Sequence, residues 1–235
     1  MNTISFIISI MLILLLAAWG FWSAISYPRM KKSVATGKRI ALINDYIQTV
    51  IGLAVFGSLA VIACGTRIFV VPEFYFICNA GIFKISVYAI VAVIVLYQII
   101  SSVALHRHND KIPKNLSSFL PVTLNEKLIF AIVCLFAGVC EELVFRGFAL
   151  TFMQQFETGI WLAVPVSAAA FGLMHLYQGI SGFFTSFFMG ILLAVVFAIS
   201  GNLLLPVIIH ILTDICVVIV KKEEKSEESI KDNCE

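Results

Sequence analysis

The 235-residue sequence predicts an all-α fold: a polytopic membrane bundle of about seven transmembrane helices, with eight as the alternative count. Three observations carry this. Hydrophobic residues make up 60% of the chain and charged ones 13%, against roughly 25% charged in soluble domains, and the mean hydropathy is +1.01. The apolar residues come in long blocks, most of them near the ~20 residues that cross a bilayer. Lys and Arg crowd into alternate connections between those blocks. A soluble single domain is excluded, and a net charge of +2 is too small to argue for nucleic acid.

The blocks run Ile4–Trp22, Ile40–Cys64, Ile85–Leu105, Leu128–Met153, Ile160–Leu176, Phe183–Ser200 and Leu203–Val220. The first is led by Met1-Asn2-Thr3, without Lys or Arg, and is followed by a basic cluster; it reads as a retained anchor rather than a signal peptide. The fourth is long for one span and is expected to tilt, kink or project, with Gly138 and Gly147 as weak points. The last two lie so close that Gly201-Asn202 must form a tight turn. No internal repeat and no Pro- or Ser-rich linker divides the chain.

Charge sets the orientation. Arg29, Lys31, Lys32, Lys38 and Arg39 follow the first block; Arg107, Lys111, Lys114 and Lys127 precede the fourth; Lys221, Lys222, Lys225 and Lys231 follow the last. The opposite connections hold only Arg67 and Lys84. Thirteen against two places the N-terminus outside and the C-terminus in the cytoplasm, as an odd number of spans requires. The tail mixes Lys with Glu223, Glu224, Glu227, Glu228, Asp232 and Glu235 and reads as a solvated, mostly disordered end. It closes on Asn233-Cys234-Glu235, which is not a C-a-a-X box. None of the six cysteines forms a C-x-x-C pair. Cys64 and Cys78 flank an outer connection and could pair in an oxidising space; free thiols filling small apolar spaces are the favoured reading.

The informative residues are ionisable groups that a membrane helix should not contain, since each costs about 3 kcal/mol or more at mid-membrane. They are Asp45, Glu141, Glu142, Arg146, His175, His210 and Asp214, and all but Asp45 fall in the last four blocks. The first three spans therefore read as scaffold. Glu142 and Arg146, four apart, share a helix face and can pair, while Glu141 is rotated about 100° toward another neighbour. Phe171 and His175 share a face one turn apart, beside the small residues Ala168-Ala169-Ala170 that permit close helix packing. His210 and Asp214 repeat the one-turn spacing. Each pair alone is as well explained by structure. Together they supply two Glu, an Arg, two His and an Asp to one membrane domain.

That set suits amide hydrolysis inside the membrane. A Glu and a His can activate a water, and a second His with a polar neighbour can hold an oxyanion. The alternative chemistry has His175, His210 and a Glu ligate a divalent metal such as zinc, whose water is then the nucleophile; the cofactor stays open. A Ser or Cys nucleophile is less attractive: there is no G-x-S-x-G or H-E-x-x-H, and Cys140 stands beside two carboxylates that oppose its ionisation.

Glu141-Glu142-x-x-x-Arg146, Phe171-x-x-x-His175 and His210-x-x-x-Asp214 resemble the three motifs of the CPBP intramembrane proteases. This family comprises type II CAAX prenyl endopeptidases and bacteriocin-processing or self-immunity proteins, also called Abi. The resemblance covers about residues 123–220 and implies that Glu141 and His175 activate the water. It further implies that His210 and Asp214 hold the oxyanion or assist a metal, and that Glu142 and Arg146 support the site. The family is commonly called metalloprotease, and a metal-independent glutamate mechanism has also been argued for it. Residues 1–122 are then N-terminal scaffold helices and cytoplasmic loops, 123–220 the catalytic core and 221–235 the charged cytoplasmic tail. One depth is awkward: counted from Leu128, Glu141 lies about 20 Å in, whereas His175 lies about 8 Å from the cytoplasmic face. Tilt, or a later start of the fourth helix, is expected to close the gap.

The function expected is an intramembrane endopeptidase of the cell membrane. It would act on a peptide or protein, prenylated or of bacteriocin or leader type, with membrane lipids as its surroundings. The runner-up is a regulatory self-immunity protein of the same fold. A proton-coupled transporter is the third reading, supported best by Asp45 with Asn44, although Asp45 reads more simply as a snorkelling interfacial residue. Small size and the lack of repeat symmetry weigh against transport.

Overall fold

The computed structural model describes residues 3–69, 81–107 and 120–216, and contains no strand among them. The chain winds into α1 (Thr3–Ala35), α2 (Ile40–Cys64), α3 (Gly81–Arg107), α4 (Leu124–Gln154), α5 (Ile160–Met174), α6 (Ile180–Ser200) and α7 (Leu204–Ile215). Stretches within α1, α2, α3, α4 and α6 are long and apolar enough to cross a membrane. Their outer faces expose Leu14, Ile62, Ile100 and Leu128, as a lipid-facing surface should. Cys78, the loop Lys residues 111 and 114 and the C-terminal tail lie outside the described residues, and with them the Cys64–Cys78 pairing.

The predicted bounds of α2 hold to the residue. By contrast, α1 runs on past Trp22 to Ala35, straight through Pro28. Tertiary packing outweighs the proline: Met30 is buried with Leu42, Tyr46 and Phe130, and Tyr27 meets Tyr177 edge-on with centroids 5.1 Å apart. The helix α4 begins earlier than expected, at Leu124, because Thr123 and Glu126 form a capping box. Glu126 also binds Arg39 through two contacts of 2.6 and 2.7 Å, tying the start of α2 to the start of α4. These two helices run parallel, as alternate spans must. Tyr46 packs on Phe130 at one level, and Gly57 on Cys140 further along.

Of the two expected weak points, only Gly147 lies in an irregular stretch. Leu143–Phe148 is wound as a π-helical turn, and Gly147 admits Ile68 where a Cβ would collide. Gly138 stays in regular helix and serves contact instead: a Cβ there would strike the Ile211 side chain and stand 3.1 Å from its backbone nitrogen. The small residues of α5 do meet a neighbour, with Gly190 of α6 set against Ala168. Gly201, at φ +76°, makes the predicted turn between α6 and α7.

The expected later start of α4 does not occur, since α4 begins at Leu124, and α5 is short. Fifteen residues span about 22 Å, less than a hydrocarbon core of about 30 Å. Its end packs beside the middle of α2: Met174 touches the position of Gly20, whose neighbour Trp19 covers Gly52 and Phe56. His175 therefore ends its helix within about a turn of the Gly57–Cys140 level.

Candidate active site

The two adjacent carboxylates of α4 face different surroundings. Glu142 is wholly buried and points into protein, where its Oε1 accepts from Arg146 Nη1 at 2.6 Å and from His210 Nδ1 at 2.8 Å. Arg146, only 1% exposed, also donates to the Gly190 carbonyl of α6 at 3.2 Å and lies 4.9 Å over the Phe171 ring. The predicted Glu142–Arg146 pair thus exists, and it extends to α6 and α7. Glu141, about one-fifth exposed, turns the other way, with Oε2 3.5 Å from His210 Nε2.

His210 is anchored through Nδ1. A carboxylate can only accept, so the proton between His210 and Glu142 belongs to Nδ1. Nε2 then faces Glu141 on one side and Asp214, at 3.6 Å, on the other. His175 caps the end of α5, and its Nδ1 lies 2.9 Å from the Phe171 carbonyl. A carbonyl likewise only accepts, so Nδ1 carries the proton and Nε2 keeps its lone pair.

Phe171 joins the two histidines. Its ring packs on His175 at 4.7 Å, on His210 at 5.8 Å and on Phe145 of the π-helical turn at 5.1 Å. Ser167, one turn earlier on α5, donates to the Phe145 carbonyl at 2.6 Å and fixes that turn to α5. In the sequence Phe171 marks a spacing; its role as the spacer between His175, His210 and Arg146 emerges only from packing. Ser167 carried no signal beyond its place in a small-residue stretch.

A cavity of about 570 Å³ opens onto this group. Glu141, His175, His210 and Asp214 line it, whereas Glu142 and Arg146 do not. Tyr177, stacked 6.2 Å from His175, lines it as well. The opposing wall comes from α1, α2 and α3, through residues such as Trp19, Ser26, Asp45, Thr49 and Gln98. The N-terminal helices therefore close a cavity that the C-terminal ones cannot enclose alone. Cys140 packs with Leu53 and Ala137 in a small apolar cluster, as a filler would.

Among the described residues, no three His, Cys, Asp or Glu side chains are grouped so as to hold a metal ion. His210 and His175 each engage Nδ1, with Glu142 and with the Phe171 carbonyl, and each keeps Nε2 free on the cavity side.

Comparison with curated proteins and with solved structures gave no match. Residues 123–216 match the family model described as Rce1-like, type II CAAX prenyl endopeptidase Rce1-like, consistent with the intramembrane protease family that the three motifs resemble.

Proposed function

We propose that this chain is an intramembrane endopeptidase that hydrolyses a peptide bond with a water activated by Glu141 and His175. The observation that carries this is the division of the six residues: four line one cavity, and the two others are buried outside its lining, Glu142 bonded to His210 and Arg146 to Glu142. Glu141 takes a proton from the water as its oxygen adds to the substrate carbonyl carbon. His210 Nε2, when protonated, donates to the resulting oxyanion, with Asp214 beside it. The carbon–nitrogen bond then breaks, and the proton held by Glu141 passes to the leaving amine through His175 Nε2, which also holds the attacking water beside Glu141. The products are a carboxylic acid and an amine. Glu142 and Arg146 act through His210 and the α4–α6 contact, as positioning residues.

The family match supports a peptide substrate, and the five apolar helices support an integral membrane protein. The Lys and Arg asymmetry supports an orientation in which the α1–α2 connection is cytoplasmic, with the adjoining end of the cavity on that side. The substrate is a prenylated C-terminal peptide or an unmodified leader-type peptide. The test is incubation of purified protein in detergent with labelled peptides of both kinds, beside folded Glu141→Gln and His175→Ala proteins. Cleavage that both substitutions abolish is expected, and a strong chelator should leave it unchanged. Cleavage that survives Glu141→Gln would overturn the assignment, and loss with chelator would overturn the metal-free mechanism.

A further inference from the structure

The same cavity has a second charged pole that the hydrolytic chemistry does not use. Asp45 stands on its wall, on the α2 face that also presents Thr49, Leu53 and Phe56. It is the sixth residue of α2, beyond the first turn where a carboxylate serves a helix end. Among the described residues no Lys, Arg or His forms an ion pair with it. The nearby Arg39 is committed to Glu126 and the Leu120 carbonyl. The whole cavity lining contains three carboxylates, Asp45, Glu141 and Asp214, and no Lys or Arg. The rings of Trp19, Trp22, Tyr27 and Tyr177 are also part of the lining, and aromatic faces favour cations.

Two internal rulers give the distance between the poles. Gly57 packs on Cys140, so Asp45 lies twelve residues, or about 18 Å, along α2 from the level of Glu141. Tyr46 packs on Phe130, and from there to Glu141 along α4 is about 16 Å. An extended peptide advances about 3.3 Å per residue, so this separation equals about five residues.

We propose that Asp45 is a specificity-determining residue that recognises a Lys or Arg side chain of the substrate about four to six residues from the cleaved bond. This rests on the endopeptidase reading and adds the substrate class: a peptide with an apolar body and one basic residue, held at one end by Asp45 and presented at the other to Glu141. A carboxylate-bearing residue at the same place meets Asp45 without any lining Lys or Arg to receive it.

Binding and cleavage are measured separately. A fluorescein-labelled apolar peptide carrying one Lys, and its twin with Glu at the same position, are titrated against the full-length Glu141→Gln protein in detergent. The Lys peptide is expected to bind at least about tenfold more tightly. Asp45→Asn in the same background should remove the preference, Asp45→Lys should invert it, and Asp45→Glu should retain it as proof of an intact cavity. Equal binding of the twins, no binding, or a preference that survives Asp45→Asn overturns the proposal. Cleavage of the Lys peptide by the otherwise unaltered protein decides the endopeptidase reading independently: charge-selective binding without cleavage would keep Asp45 as a binding residue and reject hydrolysis.

Discussion

Replacing Arg146 by Met should destabilise the whole bundle, because the guanidinium joins three helices at one buried point. It pairs with Glu142 at 2.6 Å, reaches the Gly190 carbonyl at 3.2 Å, and covers Phe171 at 4.9 Å. Met keeps most of the volume and none of the charge. Glu142, 0% exposed, would then be a buried carboxylate still bonded to His210 but without its cation. Breaking one side of a buried pair costs about 3–5 kcal/mol. For a chain of this length each kcal/mol moves the midpoint by about 2–4 °C, so unfolding should fall by about 6–20 °C. The assay is thermal unfolding in detergent, followed by tryptophan fluorescence. The double variant Glu142→Gln/Arg146→Met removes both charges and should recover at least half of the loss, since uncharged replacement of a buried pair is close to neutral. A single variant within about 2 °C of the parent, or a double variant no better than the single one, would refute this reasoning.

His175→Ala removes a half-buried side chain at a helix end, so cleavage of a substrate peptide should fall about 10²- to 10⁴-fold with little change in the unfolding midpoint. Gly57→Val puts a branched side chain where a Cβ already stands 2.9 Å from Cys140 Sγ, and should cost about 1–3 kcal/mol by the same unfolding assay. Glu126→Gln weakens the bond to Arg39, whose side chain is 30% exposed, and should cost about 1–2 kcal/mol while the Lys-over-Glu peptide preference persists.

The spans were legible where hydrophobic length alone decides them, as at α2, whose ends coincide with the apolar block. They were misjudged where side chains far apart in sequence decide. Pro28 and the polar Ser23–Tyr27 stretch suggest an end to α1, yet packing of Met30 and Tyr27 carries the helix on. The start of α4 was in principle readable, since Thr123-x-x-Glu126 is a capping-box pattern ahead of an apolar run. The π-helical turn at Leu143–Phe148 has no comparable signature. At the site, helical spacing pointed to the Glu142–Arg146 and His210–Asp214 neighbourhoods. It could not show that Glu142 rather than Glu141 binds His210 Nδ1, because that depends on how α4 and α7 meet across Gly138 and Ile211. Nor could it place Asp45 on the cavity wall, since nothing local separates a cavity-facing carboxylate from an interfacial one.

The division of labour between two adjacent carboxylates is the centre of this account, and one paired comparison tests it most directly. Glu141→Gln and Glu142→Gln proteins are each measured for peptide cleavage and for thermal unfolding under identical conditions. Glu141, on the cavity wall, should give a protein that unfolds within about 2 °C of the parent and cleaves at least about 10²-fold more slowly. Glu142, bound to both Arg146 and His210, should give a protein whose unfolding midpoint falls clearly, with cleavage lost alongside stability. Rapid cleavage by Glu141→Gln, or a fully stable Glu142→Gln, would contradict the assignment of the two roles.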